Sequence, residues 1–330
     1  MRTMRNLLAV FIWLFALNAP LYAANKFRVV SGGFGVNHAP VWAAYDQGIF
    51  KKYGLDVEYL AINSGSTAMQ SLLAGEVEVL NSTGALAVGA NLQGADLVII
   101  AGGVNILPYQ LIARSEIKRR EDLAGKTVAI SAFGTSSELG MQVALEKLGI
   151  NPKQVTMIQA GGNTNRIAAL SGRAVYATVV GEPYATLAVK NLGMNSLVDL
   201  GEIGTPFPFN CFMVKRSYLK TGRNNIINFV KAAIEGLYTV KKDTAFGLRL
   251  IKKYMRLDDE KARIGYDYYL VKHGYELLHL PDRQGLAFAI SLINQQNPKA
   301  KDQTPESLRL LEPGILEEIK KSGFIEKLPK

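Results

Sequence analysis

The stretch FRVVSGGFGVNHAPVWAAYDQGIFKKYGLDVEYL, residues 27–60, decides the fold. Its first residues, Phe27-Arg28-Val29-Val30, make a short strand that runs into a glycine-rich turn at 31–35. Residues 40–53 follow with helical spacing, placing Val41, Ala44, Tyr45 and Phe50 on one apolar side. Gly54 stops that helix. Residues 55–60 then alternate as a second strand. Strand, helix and strand in that order predict a parallel pair with a helix packed across it.

The same grammar continues outward. Asn63-Ser64-Gly65-Ser66-Thr67 is a cap-rich loop before a helix,. Strands are predicted at 77–80 and 97–101, with a helix opened by Thr83 between them. A second unit repeats the plan, with strands at 110–113, 127–130, 155–158 and 177–180 and helices between them. Pro108 closes the first unit and Thr205-Pro206-Phe207-Pro208 closes the second. The strands at 110–113 and 211–214 are expected to pair near a hinge. From residue 224 the chain is mostly helical and should pack back on the first unit. The expected organisation is therefore α/β with mainly parallel sheets and flanking helices. Residues 24–108 and 216–330 form one lobe and residues 109–215 the other.

Bulk properties agree with a two-lobed globular protein. The 330 residues are 48% hydrophobic and 20% charged, which suits folded domains rather than disorder. Arg2 and Arg5, an uncharged apolar run at 7–17, and Ala23-Ala24 after Pro20 read as a cleavable secretory signal over residues 1–23,. The mature chain is then expected in the periplasm, with no second apolar span to hold it in a membrane. The single cysteine, Cys211, has no internal disulfide partner and reads as a buried thiol,. The net charge of +10 comes from scattered Lys and Arg interleaved with acids. Nucleic-acid binding would need a clustered basic face.

Small polar residues gather after strands and before helices. The loops concerned carry Phe34, Asn37 and His38, then Ser64 and Ser66, then Ser82 and Thr83. Those of the second unit carry Phe133, Gly134, Thr135 and Ser136, then Asn163, then Glu182. Ligands of open α/β sheets bind beyond the carboxyl ends of the strands. Helix starts offer free N–H groups and partial positive charge there. Any one of these loops also reads as an ordinary cap; their recurrence in both units is what suggests a shared cleft. His38 is a packing residue or a ligand contact. Tyr109, Phe34, Phe133 and Phe209 are candidates for apolar walls or for core, and Asn210 is a candidate contact on the returning strand.

The order and wording of several segments resemble the NMT1/THI5-like solute-binding proteins for nitrate, taurine, sulfonates and thiamine-pyrimidine precursors. The matching pieces are residues 43–57 (AAYDQGIFKKYGLDV), Ser82-Thr83-Gly84, residues 122–129 (DLAGKTVA), Gly134-Thr135-Ser136-Ser137 and Gly181-Glu182-Pro183-Tyr184. The resemblance implies a type II periplasmic-binding fold, with two lobes closing over a ligand at a hinge. It implies a small-molecule ligand and an ABC permease with its ATPase as partners. It places Ser82 and Thr83 on one wall and Gly134, Thr135 and Ser136 on the other. Glu182 would touch a ligand amine or hydroxyl, or cap its own helix.

Catalytic patterns are missing from the sequence. Gly125-Lys126-Thr127 ends like a Walker A loop, but Arg120 stands where the first glycine belongs,. Gly33-Phe34-Gly35 has His38 in place of the third glycine of a dinucleotide fingerprint. His38, His273 and His279 lack zinc spacing. The expectation is a monomeric, exported binding protein for a small organic anion such as a sulfonate or carboxylate, with no cofactor, metal or nucleic acid. The alternatives are a ligand-sensing module for a membrane receptor, or a THI5-like enzyme of pyrimidine synthesis.

Overall fold

The computed structural model describes residues 26–277 and 279–328. The signal sequence expected at 1–23 lies outside the described residues. Among the described residues, no helix is long and apolar enough to cross a membrane.

Two five-stranded sheets make two lobes with the same internal order. The first contains β1 (Phe27–Gly32), β2 (Val57–Ile62), β3 (Val79–Ser82), β4 (Leu97–Ile106) and β10 (Pro206–Lys215), ordered β2-β1-β3-β10-β4. The second contains β5 (Gln110–Ala113), β6 (Thr127–Ile130), β7 (Thr156–Gln159), β8 (Ala177–Val180) and β9 (Asn195–Asp199), ordered β7-β6-β8-β5-β9. In each sheet four strands share one direction, three of them side by side. The strand that arrives from the other lobe inserts antiparallel in fourth place, β10 beside β3 and β5 beside β8. This is the two-lobed type II periplasmic-binding fold.

Alternation along the strands explains why both faces of each sheet are covered. In β4, Val98 and Ile100 face one core with Trp42 and Phe229, while Leu97 and Ile99 face another with Leu72 and Leu86. Successive strand residues point to opposite faces, so a run that is apolar throughout needs helices on both sides. In β8, Ala177 and Val179 join one core of the second lobe and Val180 joins the other. Cys211 is buried beside Leu80 and Met213, and burial pushes its thiol up to about 12.

Three expectations need correction. The helix expected over residues 40–53 is two pieces, Ala39–Asp46 and Ile49–Lys52, because Gly48 adopts a left-handed φ of 67° between them. The strands at 110–113 and 211–214 do not pair with each other. Each is the crossover strand of its own sheet, and all of β10 belongs to the first lobe's sheet, so the chain returns near residue 205 rather than 216. The tail also does not stay wholly on the first lobe. The helix Arg283–Asn294 gives Leu286 and Ile290 to a first-lobe core but Ala289 and Leu292 to the core of the second.

The two crossings lie side by side. Leu107 N–H donates to Thr205 O at 3.0 Å and Leu200 N–H donates to Tyr109 O at 2.9 Å. These bonds tie the two connections into one narrow hinge.

Candidate functional site

A cleft of about 760 Å3 lies between the lobes, beside this hinge. Its walls are the loops at the carboxyl ends of parallel strands from both sheets. Loops after β1, β2 and β3 bring Gly32 to His38, Asn63 and Ser82-Thr83. Loops after β6, β7 and β8 bring Ser131, Thr135, Ser136, Gly162, Asn163 and Glu182. Both sheets therefore present the end where ligands of open α/β sheets bind.

Of the residues proposed from sequence, Phe34, Asn37, His38, Ser82, Thr83, Tyr109, Thr135, Ser136, Asn163 and Glu182 line this space. Five lie off it. Ser64 caps the helix Gly65–Ala74 by accepting from Thr67 N–H at 3.4 Å, and its hydroxyl is 3.0 Å from that of Ser66. Both hydroxyls thus serve the helix start. Asn210 is buried beneath the cleft, donating to Asn81 Oδ1 at 2.8 Å and accepting from the Tyr275 hydroxyl at 2.6 Å. Gly134 turns with φ 76°, and Phe133 before it lies on the outer side of the loop, 51% exposed. Phe133 borders a different cavity.

The threonines that line the cleft are already engaged. Thr83 Oγ1 donates to Pro208 O at 3.1 Å, and Thr135 Oγ1 donates to Ala132 O at 2.6 Å. They brace their loops as well as facing the cleft. Tyr109 packs edge-on against Phe209 with centroids 5.3 Å apart, and its hydroxyl is 3.0 Å from that of Ser136. Glu182 accepts from Gln110 Nε2 at 3.0 Å, from Thr186 Oγ1 at 2.8 Å and from Thr186 N–H at 3.1 Å. It therefore caps its own helix while bordering the cleft. Burial raises its carboxyl above the usual range, and the Thr186 hydrogen bonds partly oppose that.

The sequence reading missed the main charge in the site. Arg166 is the fourth residue of the helix Asn163–Ser171, 2% exposed, and lines the cleft. Its Nη2 donates to Asn163 Oδ1 at 2.6 Å and its Nη1 donates to Val179 O. Its Nε has no hydrogen-bond partner, and no carboxylate pairs with it among the described residues. Burial lowers its pKa from the ordinary value, but a guanidinium keeps its proton in proteins. A signal was present. A cation in the first turn of a helix opposes the dipole, and this helix starts in a loop already assigned to the cleft.

The rim was also invisible locally. Tyr45 and Asp46 come from the helix Ala39–Asp46, and Lys253, Tyr254, Met255 and Arg256 from the end of Thr244–Met255. Lys253 pairs with Asp46 at 2.6 Å, and the Tyr254 hydroxyl donates to Asp46 at 2.8 Å. Tyr254 stacks on Trp42 at 4.6 Å between centroids. Arg256 is exposed and has no ion-pair partner among the described residues.

His38 is fully buried, and desolvation lowers its pKa from 6.5 to about 3. The Asn37 amide lies 3.3 Å from its Nε2; with the ring neutral, that amide donates and the ring proton sits on Nδ1. The unfolded chain takes up a proton below pH 6.5 that the folded chain refuses until about pH 3. The contribution of this histidine to stability is therefore complete above pH 6.5 and is lost at about 1.4 kcal/mol per pH unit as the pH falls through that window. Urea unfolding at pH 7 and pH 4.5 should show a steeper loss for the parent than for His38→Gln. Equal losses would assign the acid sensitivity to other groups.

Residues 35–244 match the family described as NMT1/THI5 like. The chain is 27% identical over 227 residues to YtlA of Bacillus subtilis (strain 168), named as a candidate binding protein, covering 67% of this chain and 68% of YtlA. It is 28% identical over 117 residues to the taurine-binding periplasmic protein of Escherichia coli (strain K12), covering 35% of this chain and 36% of that protein. The fold matches the alkanesulfonate-binding protein SsuA of Xanthomonas axonopodis pv. citri bound to MOPS. That match has a TM-score of 0.71 and 14% identity, and covers 88% of this chain and 96% of that chain. With a family match across most of its length, two like-ordered sheets and a cleft between their carboxyl ends, the chain belongs to the NMT1/THI5-like family.

Proposed function

We propose that this protein is the exported solute-binding component of an ABC importer, and that it captures a small organic anion by closing its two lobes. The observation that carries this reading is Arg166, a buried guanidinium that lines the cleft, with its Nε unpartnered and no carboxylate paired with it among the described residues. A buried cation without a counterion is costly, and an anionic ligand would supply the missing charge. Asn163, Ser131 and the helix starts of both walls would add neutral donors. Phe34, Tyr109 and Phe209 would enclose an apolar body, which favours an organic sulfonate or carboxylate over a bare oxyanion. Relatives named for taurine and alkanesulfonate binding support the same class. Capture without chemistry, export to the periplasm and hand-over to a permease belong to this proposal.

A thermal-shift screen of the purified chain against sulfonates, carboxylates, nitrate and amines tests it. Ligand at a hundredfold excess over its Kd should stabilise the protein by about 2.7 kcal/mol. Sulfonates or carboxylates should raise the melting temperature and simple amines should not. Stabilisation by amines alone would reverse the assigned charge, and steady turnover of any hit would make the protein an enzyme.

A further inference from the structure

The apolar part of the interlobe cleft is made of rings. Among the described residues that line it there is no Val, Leu or Ile; its apolar side chains are aromatic, with Met255 the exception. The cores behind the same loops are built chiefly from Val, Leu and Ile. The rings are therefore a property of the cleft and not of the chain's composition.

Two of them stand open. Phe34 follows Gly33, whose φ of 117° turns the loop after β1. Its ring is 40% exposed, with no other ring against it among the described residues. Tyr45 is 44% exposed at the mouth, where its one ring neighbour is Tyr59 at 6.1 Å between centroids. A single exposed apolar residue is ordinary. Two large rings left open on the wall of one concavity are what a ligand pocket presents.

The rings also begin beside the charge. The Tyr109 hydroxyl reaches the Arg166 guanidinium and partly offsets the lowering that burial imposes on it. The Tyr109 ring meets Phe209 edge-on at 5.3 Å, and the partly buried Tyr184 continues the wall on the second lobe. An acid group held at Arg166 thus has an aromatic wall next to it.

The remaining charges of the lining agree with an anion. Aromatic walls alone would also suit a quaternary ammonium, which needs an unspent carboxylate. Asp46 is taken by Lys253 and Tyr254, and Glu182 by Gln110 and Thr186. His38 is neutral. Arg166 and the exposed Arg256 are the charges left without an ion-pair partner among the described residues.

Resting on the anion-capture reading above, we propose that the ligand is an aryl acid, a flat aromatic body with a sulfonate or carboxylate borne on the ring. Ring faces and edges carry opposite partial charge, so an aromatic ligand gains edge-to-face and offset-stacked contacts with such walls that a saturated chain does not. The room agrees with this. The cleft, of about 760 Å3, lies within the range of pockets for drug-sized ligands, about 300–1,000 Å3; a short alkyl sulfonate would leave most of it to water.

Calorimetric titration of the purified chain with two matched pairs tests the proposal: benzenesulfonate against ethanesulfonate, and benzoate against propanoate. In whichever pair binds, the aromatic member should bind at least about tenfold tighter, or about 1.4 kcal/mol. Phe34→Leu and Tyr45→Leu keep apolar bulk and remove the flat face. Each should weaken the aromatic member by about three- to tenfold, the worth of one aromatic pair. Both side chains are exposed, so the unliganded melting temperature of each variant should match the parent and exclude misfolding. An aliphatic member that binds as tightly as its aromatic partner would overturn the proposal, as would parent affinity for the aromatic member in both variants. Either result leaves anion capture standing, whereas binding by none of the four compounds removes anion capture and the aryl acid together.

Discussion

Arg166→Met lowers affinity for the cleft ligand by about a hundred- to a thousandfold while changing the stability of the unliganded protein far less. The two numbers have different origins. Removing one partner of a buried, hydrogen-bonded charge pair costs about 2–5 kcal/mol of binding. In the unliganded protein, methionine forfeits the bonds to Val179 O and Asn163 Oδ1, at about 1–3 kcal/mol each. It also relieves the burial of a cation without a counterion, which is worth several kcal/mol in the opposite direction. Those terms oppose each other, so the melting temperature of the unliganded protein should move little while ligand-induced stabilisation disappears. Calorimetric titration of parent and variant with the strongest sulfonate or carboxylate binder decides it. An affinity within tenfold of the parent would remove Arg166 from the recognition of the anion.

Gly162→Val should leave each lobe folded and prevent the lobes from meeting. Gly162 has φ −64° and ψ 176°, a conformation open to any residue. Its neighbour across the cleft is the constraint: a Cβ built there would lie 2.1 Å from Asn63 Oδ1, on the loop after β2. An alanine could be met by turning the exposed Asn63 carboxamide aside. Valine adds two methyl groups that such a rotation does not clear. The variant should therefore keep the parent stability without ligand, to within about 0.5 kcal/mol. Its affinity should fall more than tenfold, about 1.4 kcal/mol or more, and small-angle scattering should show no compaction on adding ligand. Removing the opposing side chain with Asn63→Gly should restore much of the loss, giving a positive coupling in the double-mutant cycle. Normal compaction in Gly162→Val would mean that the lobes close along another path.

What the sequence revealed and what it hid follow from the range of the interactions involved. Alternation in 55–60, helical spacing after the first glycine turn and repeated caps are local signals. They were sufficient for the strand–helix order of the first sheet, for four of the five strands of the second and for most cleft loops, but β9 (Asn195–Asp199) was missed. Phe133 was misplaced because a turn at Gly134 decides which side of a loop a ring occupies, and composition does not encode that. Asn210 and β10 were misplaced because pairing with β3 and β4, more than a hundred residues earlier, fixes their position. Tyr254 and Arg256 reach the rim only because their helix packs beside Ala39–Asp46. Arg166 was different, since its place in a first turn was readable and its conflict with the helix dipole was overlooked.

The insertion of β10 between β3 and β4 also imposes an order of completion. Every strand of the second sheet lies within residues 110–199, an uninterrupted stretch. The first sheet stays split, with β4 detached from β3, until residues 206–215 exist to bridge them. The amino-terminal half of the chain is thus obliged to wait for the middle, and a polypeptide released at residue 200 would own one complete sheet, the one made second, still without the Phe207, Ala289 and Leu292 that finish its core.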